Sequence, residues 1–358
     1  MEYYVIVSNQ CNMQCKYCIA SNITYDESGT KSSKVDSKGI CDYIIREAEK
    51  KPDDITSVVF YGGEPLLNQA AVIEIIKNTK QINPKYALYT NGLLLNKMHE
   101  YIRQNIDHVF VSLDGIREVH NFYRKDNTFD KIVKNVRTFK SKFKGVTVAR
   151  ITFVPKSDIY NAVTNCLEIC DAVFWQQVSN SNSFYEEDQK QYQKGLDRLV
   201  SEWFEAMNGG IVRNVIPFQS ILGSYLAGEK KYSLRCGYGS ILRVVSNDGS
   251  LYSCDEMIRL KQGKIGSIYN GSNPVALNTQ NIERCKECEV NEICGGRCLF
   301  SHMFYSKEQN DYYCANTKYL IHRLIEKEDY VLNLIEKGII GLEDLQTFES
   351  MNCTEQIP

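Results

Sequence analysis

Between Tyr3 and about Val178 the chain alternates short, β-rich apolar runs with longer stretches of helical periodicity. The apolar runs are Tyr3–Val7, Ile55–Tyr61, Tyr86–Thr90, His108–Leu113, Val146–Val154 and Ala172–Val178. Ser37–Lys50, Gln69–Lys80, Leu94–Gln104, Phe129–Ser141 and Ile159–Cys170 lie between them and predict helices. Alternation of this kind implies right-handed βαβ units around a parallel sheet. A partial barrel and an open doubly wound sheet share the same periodicity, so the pattern alone leaves both open. In either, chemistry belongs on the loops that leave the C-terminal ends of the strands.

After about residue 185 the pattern changes. Glu186–Met207 predicts one amphipathic helix with Tyr192, Leu196, Leu199, Val200, Trp203 and Phe204 on its core face. Asn208-Gly209-Gly210 stops it, and a short bridge runs through Pro217 and Tyr225. The tail from Tyr319 to Leu345 predicts helix with a break at Gly338.

Composition narrows the class. The 358 residues allow one large domain and a smaller one, and 43% hydrophobic with 24% charged residues describes a soluble globule. A formal charge of −2 offers no general attraction to nucleic acid or to an anionic membrane. No apolar run approaches the ~20 residues of a membrane span. The start, Met-Glu-Tyr-Tyr-Val-Ile-Val-Ser, has no basic region or cleavage site and predicts a first strand rather than a signal peptide, so a cytoplasmic location is expected. Fourteen cysteines in a reducing compartment point to metal or redox work.

Three of them follow the first strand in Cys11-Asn-Met-Gln-Cys15-Lys-Tyr-Cys18. Thiolates are the protein ligands of iron–sulfur clusters, and a [4Fe–4S] cube takes four, so three leave one iron without a protein ligand. Zinc would want a fourth nearby Cys or His, and Cys41 is far along the chain. A disulfide would leave one thiol over.

The triad resembles the CxxxCxxC motif of the radical SAM enzymes, with Tyr17 as the aromatic residue before the last cysteine. The resemblance implies a partial (β/α)6 TIM-like barrel and S-adenosylmethionine (SAM) bound at the open iron. After the second strand, Tyr61-Gly62-Gly63-Glu64-Pro65 resembles the family's GGEP motif, which implies that Gly62, Gly63 and Glu64 hold the SAM amine. Thr90-Asn91-Gly92 and Val111-Ser112-Leu113-Asp114-Gly115 resemble segments lining the SAM pocket, with Asn91, Ser112 and Asp114 as the implied contacts. In His120-x3-Arg124 the resemblance places Arg124 on the SAM carboxylate, whereas His120 reads as a helix-end residue or one that supports the site from behind.

A second field runs Cys236-x12-Gly249-x4-Cys254 and then Cys285-x2-Cys288-x5-Cys294-x3-Cys298-x15-Cys314. This is similar to the SPASM extension found on a subset of radical SAM enzymes. The resemblance, spanning about residues 1–325, implies two auxiliary [4Fe–4S] clusters besides the SAM-binding one. Cys285, Cys288, Cys294 and Cys314 would hold the outer cluster, and Cys236, Cys254 and Cys298 the inner one. The anaerobic sulfatase-maturating enzymes carry a further cysteine shortly after the first of these, and Gly237–Leu242 contains none. One iron of the inner cluster is therefore expected to be open or held by another group. Asp255, directly after Cys254, is either a general base or a turn residue behind the hairpin signal Asn247-Asp248-Gly249. Cys41, Cys166, Cys170 and Cys353 lie outside both patterns.

The expected organisation is a barrel at 1–184, a bridging helical region at 185–234, a Cys-rich SPASM domain at 235–325 and a C-terminal helical tail at 326–358. The resemblance to peptide-modifying maturases implies reductive cleavage of SAM to a 5′-deoxyadenosyl radical. That radical would abstract hydrogen from a ribosomal precursor peptide, leading to a thioether or carbon–carbon crosslink. Ferredoxin or flavodoxin would supply low-potential electrons. The first strand begins near residue 3, so a separate leader-binding protein or the SPASM surface would recognise the leader. Three alternatives stand beside this: formylglycine formation on a sulfatase, maturation of a quinone-type cofactor, and a multi-cluster electron carrier that never cleaves SAM.

Overall fold

The computed structural model describes residues 1–18, 34–178, 186–258, 260–274, 278–346 and 357–358. Cys353 and the 184/185 boundary lie outside them. Six strands alternate with helices through the first half. They are β1 (Glu2–Ser8), β2 (Ser57–Gly62), β3 (Lys85–Thr90), β4 (His108–Ser112), β5 (Val146–Phe153) and β6 (Ala172–Gln177). The helices among them are α1 (Ser37–Glu49), α2 (Gln69–Thr79), α3 (Glu100–Asn105), α4 (Arg117–Tyr123), α5 (Phe129–Lys140) and α6 (Ile159–Leu167). The result is an α/β fold with a parallel sheet at its core.

Two differences from the sequence pattern concern local chain direction. The helix expected over Leu94–Gln104 is a 3-10 turn at Leu95–Lys97 followed by the short α3. Met98 is extended between them, and the His99 ring accepts from the Tyr101 N–H to start the helix afresh. Helix α4, which the periodicity did not delimit, occupies the stretch containing His120.

By contacts the chain forms two compact units. The first comprises residues 1–113, 117–148 and 238–276. All seven residues of β1 are buried, because it is paired on both edges: parallel to β2 on one side and, on the other, parallel to β7 (Leu242–Val245). A strand covered in this way reads as an unbroken apolar run rather than an alternating one. From β7 the chain turns at Asn247-Asp248-Gly249 into the antiparallel β8 (Ser250–Tyr252) and on to β9 (Lys264–Ser267) and β10 (Gly271–Ser272). The hairpin was legible in the sequence; its addition to the edge of β1 was not. Asp36 ties α1 to this layer, its carboxylate capping the helix at the Gly39 N–H and its own N–H donating to the Asn247 carbonyl.

The second unit comprises 114–116, 149–237 and 277–358. Here α7 (Glu186–Met207) buries Tyr192, Leu196, Leu199, Val200, Trp203 and Phe204, the face that the periodicity predicted. The Trp175 indole donates to the Tyr192 hydroxyl at 3.0 Å, and Phe218 packs edge-on against both Trp175 and Trp203. Phe218 belongs to α8 (Ile216–Leu226), a helix where a short bridge was expected. Four further helices follow the 277 boundary before the last one. They are α9 (Glu283–Lys286), α10 (Asn291–Cys294), α11 (Leu299–Phe304) and α12 (Lys307–Ile325), ahead of α13 (Glu328–Glu336). The tail helix thus starts well before Tyr319, at a capping box between Ser306 and Gln309, and Gly338 at φ +65° follows the end of α13. Among the described residues no helix is long and apolar enough to cross a membrane.

Phe110 of β4 is fully buried with its ring stacked 4.4 Å from that of Tyr89. Phe110→Ala is expected to cost about 3–5 kcal/mol, read as a lowered midpoint in urea unfolding followed by circular dichroism.

Candidate active site

Strands β1, β2 and β3 run parallel, so the segments that leave their C-terminal ends share one edge of the sheet. The first is the cysteine loop. Cys11 is exposed and Cys15 and Cys18 are partly exposed, and a tight turn joins the Cys18 N–H to the Cys15 carbonyl at 3.0 Å. The end of α4 holds this loop. The Lys16 N–H donates to the Tyr123 carbonyl at 2.8 Å, and the Tyr17 and Tyr123 rings stack with centroids 6.1 Å apart. The Lys16 ammonium lies 3.2 Å from the Phe122 ring centre and the buried Arg124 guanidinium 5.4 Å from that of Tyr17. Tyr17 and Arg124, named from separate motifs, are therefore neighbours.

The second segment is Gly62-Gly63-Glu64. Gly62 sits at φ +137°, where the β1–β2 register shifts, and a methyl on it would collide with the Ser8 carbonyl oxygen. A methyl on Gly63 would collide with the Gln10 carbonyl oxygen and stand 3.2 Å from Cys11 Cβ. The Gly63 and Glu64 N–H groups donate to the Ser8 and Gln10 carbonyls, both at 2.8 Å. The glycines thus let this turn lie directly against the chain entering the cysteine loop.

Glu64 itself is fully buried. Its Oε1 accepts from the Leu66 N–H at 3.1 Å and the Thr90 hydroxyl at 2.9 Å, and its Oε2 from the Asn91 N–H at 2.8 Å. The carboxylate pins the third segment to the second. Asn91 carries the connection onward: its side-chain amide donates to Asn12 Oδ1 at 2.7 Å and lies 3.8 Å from Cys11 Sγ. Burial pushes the Cys11 thiol up, and the Met13 N–H and the Asn91 amide draw it back. Thr90, Asn12 and Tyr123 were not singled out from sequence. Thr90 lay within a quoted motif, but its hydroxyl's partner 26 residues earlier was not readable.

Ser112 ends β4, half-buried. Asp114 is buried in the second unit, where its Oδ1 accepts from the Thr152 N–H of β5 at 2.9 Å. His120 is fully buried in the last turn of α4, its ring edge-on to Phe129.

Of the second cysteine field, Cys254 falls in the first unit and the other six in the second. Cys254 Sγ donates to Asp255 Oδ1 at 3.6 Å, and Asp255 opens a 3-10 turn with its carboxylate facing the neighbouring thiol. In the second unit, Cys285, Cys288, Cys294 and Cys314 sit close enough to perturb one another. Burial, then the proximity of Cys294, Cys314 and Cys288, pushes the Cys285 thiol up to about 12. The Cys288 N–H donates to the Cys285 carbonyl at 3.1 Å, the same turn as at Cys15 and Cys18. Desolvation raises Cys294 as well, offset by an N–H from Gly296. That N–H can turn back because Gly295 and Gly296 both have positive φ, where a side chain would strike Ser233 or Thr279.

The thiols do not converge as the ligands of one ion do. Among the described residues no three His, Cys, Asp or Glu side chains form a single-ion site. Zinc bonds of about 2.3 Å would draw thiolates to within roughly 4 Å of each other. Four thiols near enough to perturb one another supply the donor type that a polynuclear iron–sulfur group takes.

Residues 5–159 match the radical SAM superfamily model. The chain therefore carries a radical SAM domain over those residues, which makes it an enzyme and implies a [4Fe–4S] cluster and SAM. Its parallel core is that of the radical SAM partial barrel, and its C-terminal region is Cys-rich. A cysteine-type anaerobic sulfatase-maturating enzyme of Clostridium perfringens (strain 13 / Type A) is 26% identical over 356 residues, covering 89% of this chain and 95% of the relative. Among solved structures, native anSMEcpe with bound AdoMet superposes with a TM-score of 0.71 at 22% identity, over 94% of this chain and 100% of that one. Streptococcus suis SuiB bound to precursor peptide SuiA gives 0.58 at 14% identity, over 86% and 73%. Possession of that enzyme domain sets aside the electron-carrier alternative.

Burial holds the Glu64 carboxyl above its ordinary value, against the opposing pull of its three donors. The native chain then keeps a proton that the unfolded chain releases. This contribution to stability is full below the ordinary carboxyl pKa of 4.5 and is lost as pH rises through the raised native value. Glu64→Gln should abolish that slope. It should also cost about 1–3 kcal/mol at neutral pH by leaving a buried donor unmet, both read from unfolding midpoints across a pH series.

Proposed function

We propose that this enzyme oxidises a peptide by radical chemistry, and that its product is a thioether or carbon–carbon crosslink in a ribosomal precursor peptide. The observation that carries this is the unequal thiol count: three after β1, and seven later where two complete clusters would need eight. Cys11, Cys15 and Cys18 would hold the SAM-binding cluster. Cys285, Cys288, Cys294 and Cys314 would hold an outer auxiliary cluster, and Cys236, Cys254 and Cys298 an inner one with one iron left for a substrate thiolate. When bound, the first cluster and SAM supply a 5′-deoxyadenosyl radical that takes a hydrogen atom from the peptide.

The chain's own residues orient and enclose. The Gly62-Gly63-Glu64 turn and Asn91 present the SAM amine subsite beside Cys11, with Tyr17 and Arg124 closing the opposite end of the loop and Arg124 offering its charge to the SAM carboxylate. Ser112 and Asp114 are assigned to the ribose hydroxyls or the SAM carboxylate, Asp114 with one oxygen already committed to Thr152. Asp255 takes up the proton that oxidation releases, reached through its place beside Cys254. A ferredoxin or flavodoxin supplies the electron. A peptide partner is supported by the fold shared with SuiB, whose structure holds its precursor peptide SuiA.

Formylglycine formation on a sulfatase is the second reading, favoured by similarity to the Clostridium perfringens enzyme over nearly its whole length and by the Cys254-Asp255 pair. The absence of a cysteine in Gly237–Leu242 opposes it.

Anaerobic enzyme with SAM and dithionite should form 5′-deoxyadenosine, and Cys15→Ala should form none. Mass spectrometry of an incubated peptide then separates the readings. Loss of two hydrogens per event with no aldehyde formed indicates a crosslink, and an aldehyde, made from cysteine by exchange of sulfur for oxygen with loss of two hydrogens or from serine by loss of two hydrogens, indicates formylglycine.

A further inference from the structure

Cys285, Cys288, Cys294 and Cys314 have cationic side chains as neighbours, brought from four separate places in the second unit. Arg284 Nη1 donates to Cys314 Sγ at 3.8 Å, while its Nη2 lies 3.3 Å from Asp311 Oδ1. Lys318, one helical turn beyond Cys314, lies near enough to Cys288 for the two to interact electrostatically and pairs at 3.0 Å with Glu289, the next residue. Arg235 is buried and donates from Nε to the Ile293 carbonyl at 2.7 Å, directly before Cys294, with its other nitrogens on the Ser220 and Ser224 hydroxyls. Arg297, in a left-handed conformation, bonds Ser301 Oγ at 2.6 Å and lies 4.6 Å from the ring centre of Tyr313, which precedes Cys314. The two acids that answer them, Asp311 and Glu289, are more exposed (57% and 53%) than Arg284 and Lys318 (25% and 38%), so water screens the negative charges more than the positive ones.

Each electron added to a four-thiolate cluster makes it one charge more negative without breaking a bond. Nearby cations favour the reduced form, as do hydrogen bonds to the sulfurs. Resting on the reading of these four thiols as the outer auxiliary cluster, we propose that Arg284 and Lys318, backed by Arg235 and Arg297, raise its reduction potential and make it an electron acceptor within the protein. Arg284 acts here through the cluster as a tuning residue and touches no substrate.

The test is a mediator-assisted redox titration of reconstituted full-length enzyme, followed by electron paramagnetic resonance. The outer-cluster signal is identified as the one altered by Cys314→Ser. Arg284→Gln should lower its midpoint, Arg284→Lys should restore most of the shift, and Asp311→Asn should move it upward. Lys318→Gln should lower it with Arg284 in place, which decides the matter if Arg284→Gln takes up no iron. Midpoints unchanged by both charge removals, or moved in the same direction by Arg284→Gln and Asp311→Asn, overturn the inference. Absence of any signal that answers to Cys314→Ser overturns instead the cluster reading beneath it.

Discussion

The approach of the Gly62-Gly63-Glu64 turn to the backbone of Ser8–Gln10 constrains everything else at the candidate site. Two N–H···O bonds of 2.8 Å hold it, and a side chain at either glycine would strike the carbonyl oxygens that accept or flank them. Cys11 follows directly, so the first thiol's position is set by a neighbouring strand's turn rather than by its own loop. Glu64 extends the constraint in the other direction, using three buried hydrogen bonds to draw Thr90 and Asn91 in. A buried carboxylate is costly without partners. With them it fixes three loops as one unit, and the Asn91 amide returns the connection to Cys11.

The second thiol group solves a related problem with different means. Close backbone approach reappears at Gly295 and Gly296, which aim an N–H at Cys294. The larger difference is charge. Cys11 is drawn back by neutral amides, whereas the Cys285–Cys314 group is met by arginines and a lysine. Two iron–sulfur sites in one chain with unlike surroundings would hold electrons at unlike potentials, which is what a sequence of injection and withdrawal requires.

Much of this was legible in the sequence because the information was local. Strand runs such as Tyr3–Val7 and the buried face of Glu186–Met207 follow from periodicity, and cysteine spacings reflect tight turns within a few residues. What was not legible depends on distant partners. The pairing of β7 with β1 joins residues about 240 positions apart, and nothing in Leu242–Val245 announces it. Glu64 reads as a ligand-binding acid in a motif, yet its oxygens are met by Leu66, Thr90 and Asn91. Asp114 likewise commits an oxygen to Thr152 of β5. Arg284 and Lys318 look like ordinary surface cations until folding sets them beside Cys314 and Cys288.

On the proposed function, the three thiols after β1 would hold a cluster whose open iron takes SAM, independently of the thiols further along. The direct measurement is electron paramagnetic resonance of the dithionite-reduced enzyme with and without SAM, for the wild type and for a variant with Cys11, Cys15 and Cys18 all replaced by alanine. SAM should reshape the wild-type spectrum, and the variant should keep iron in its remaining sites but show no response to SAM. A SAM-induced change that survives loss of all three cysteines, or a wild-type spectrum indifferent to SAM, would contradict it.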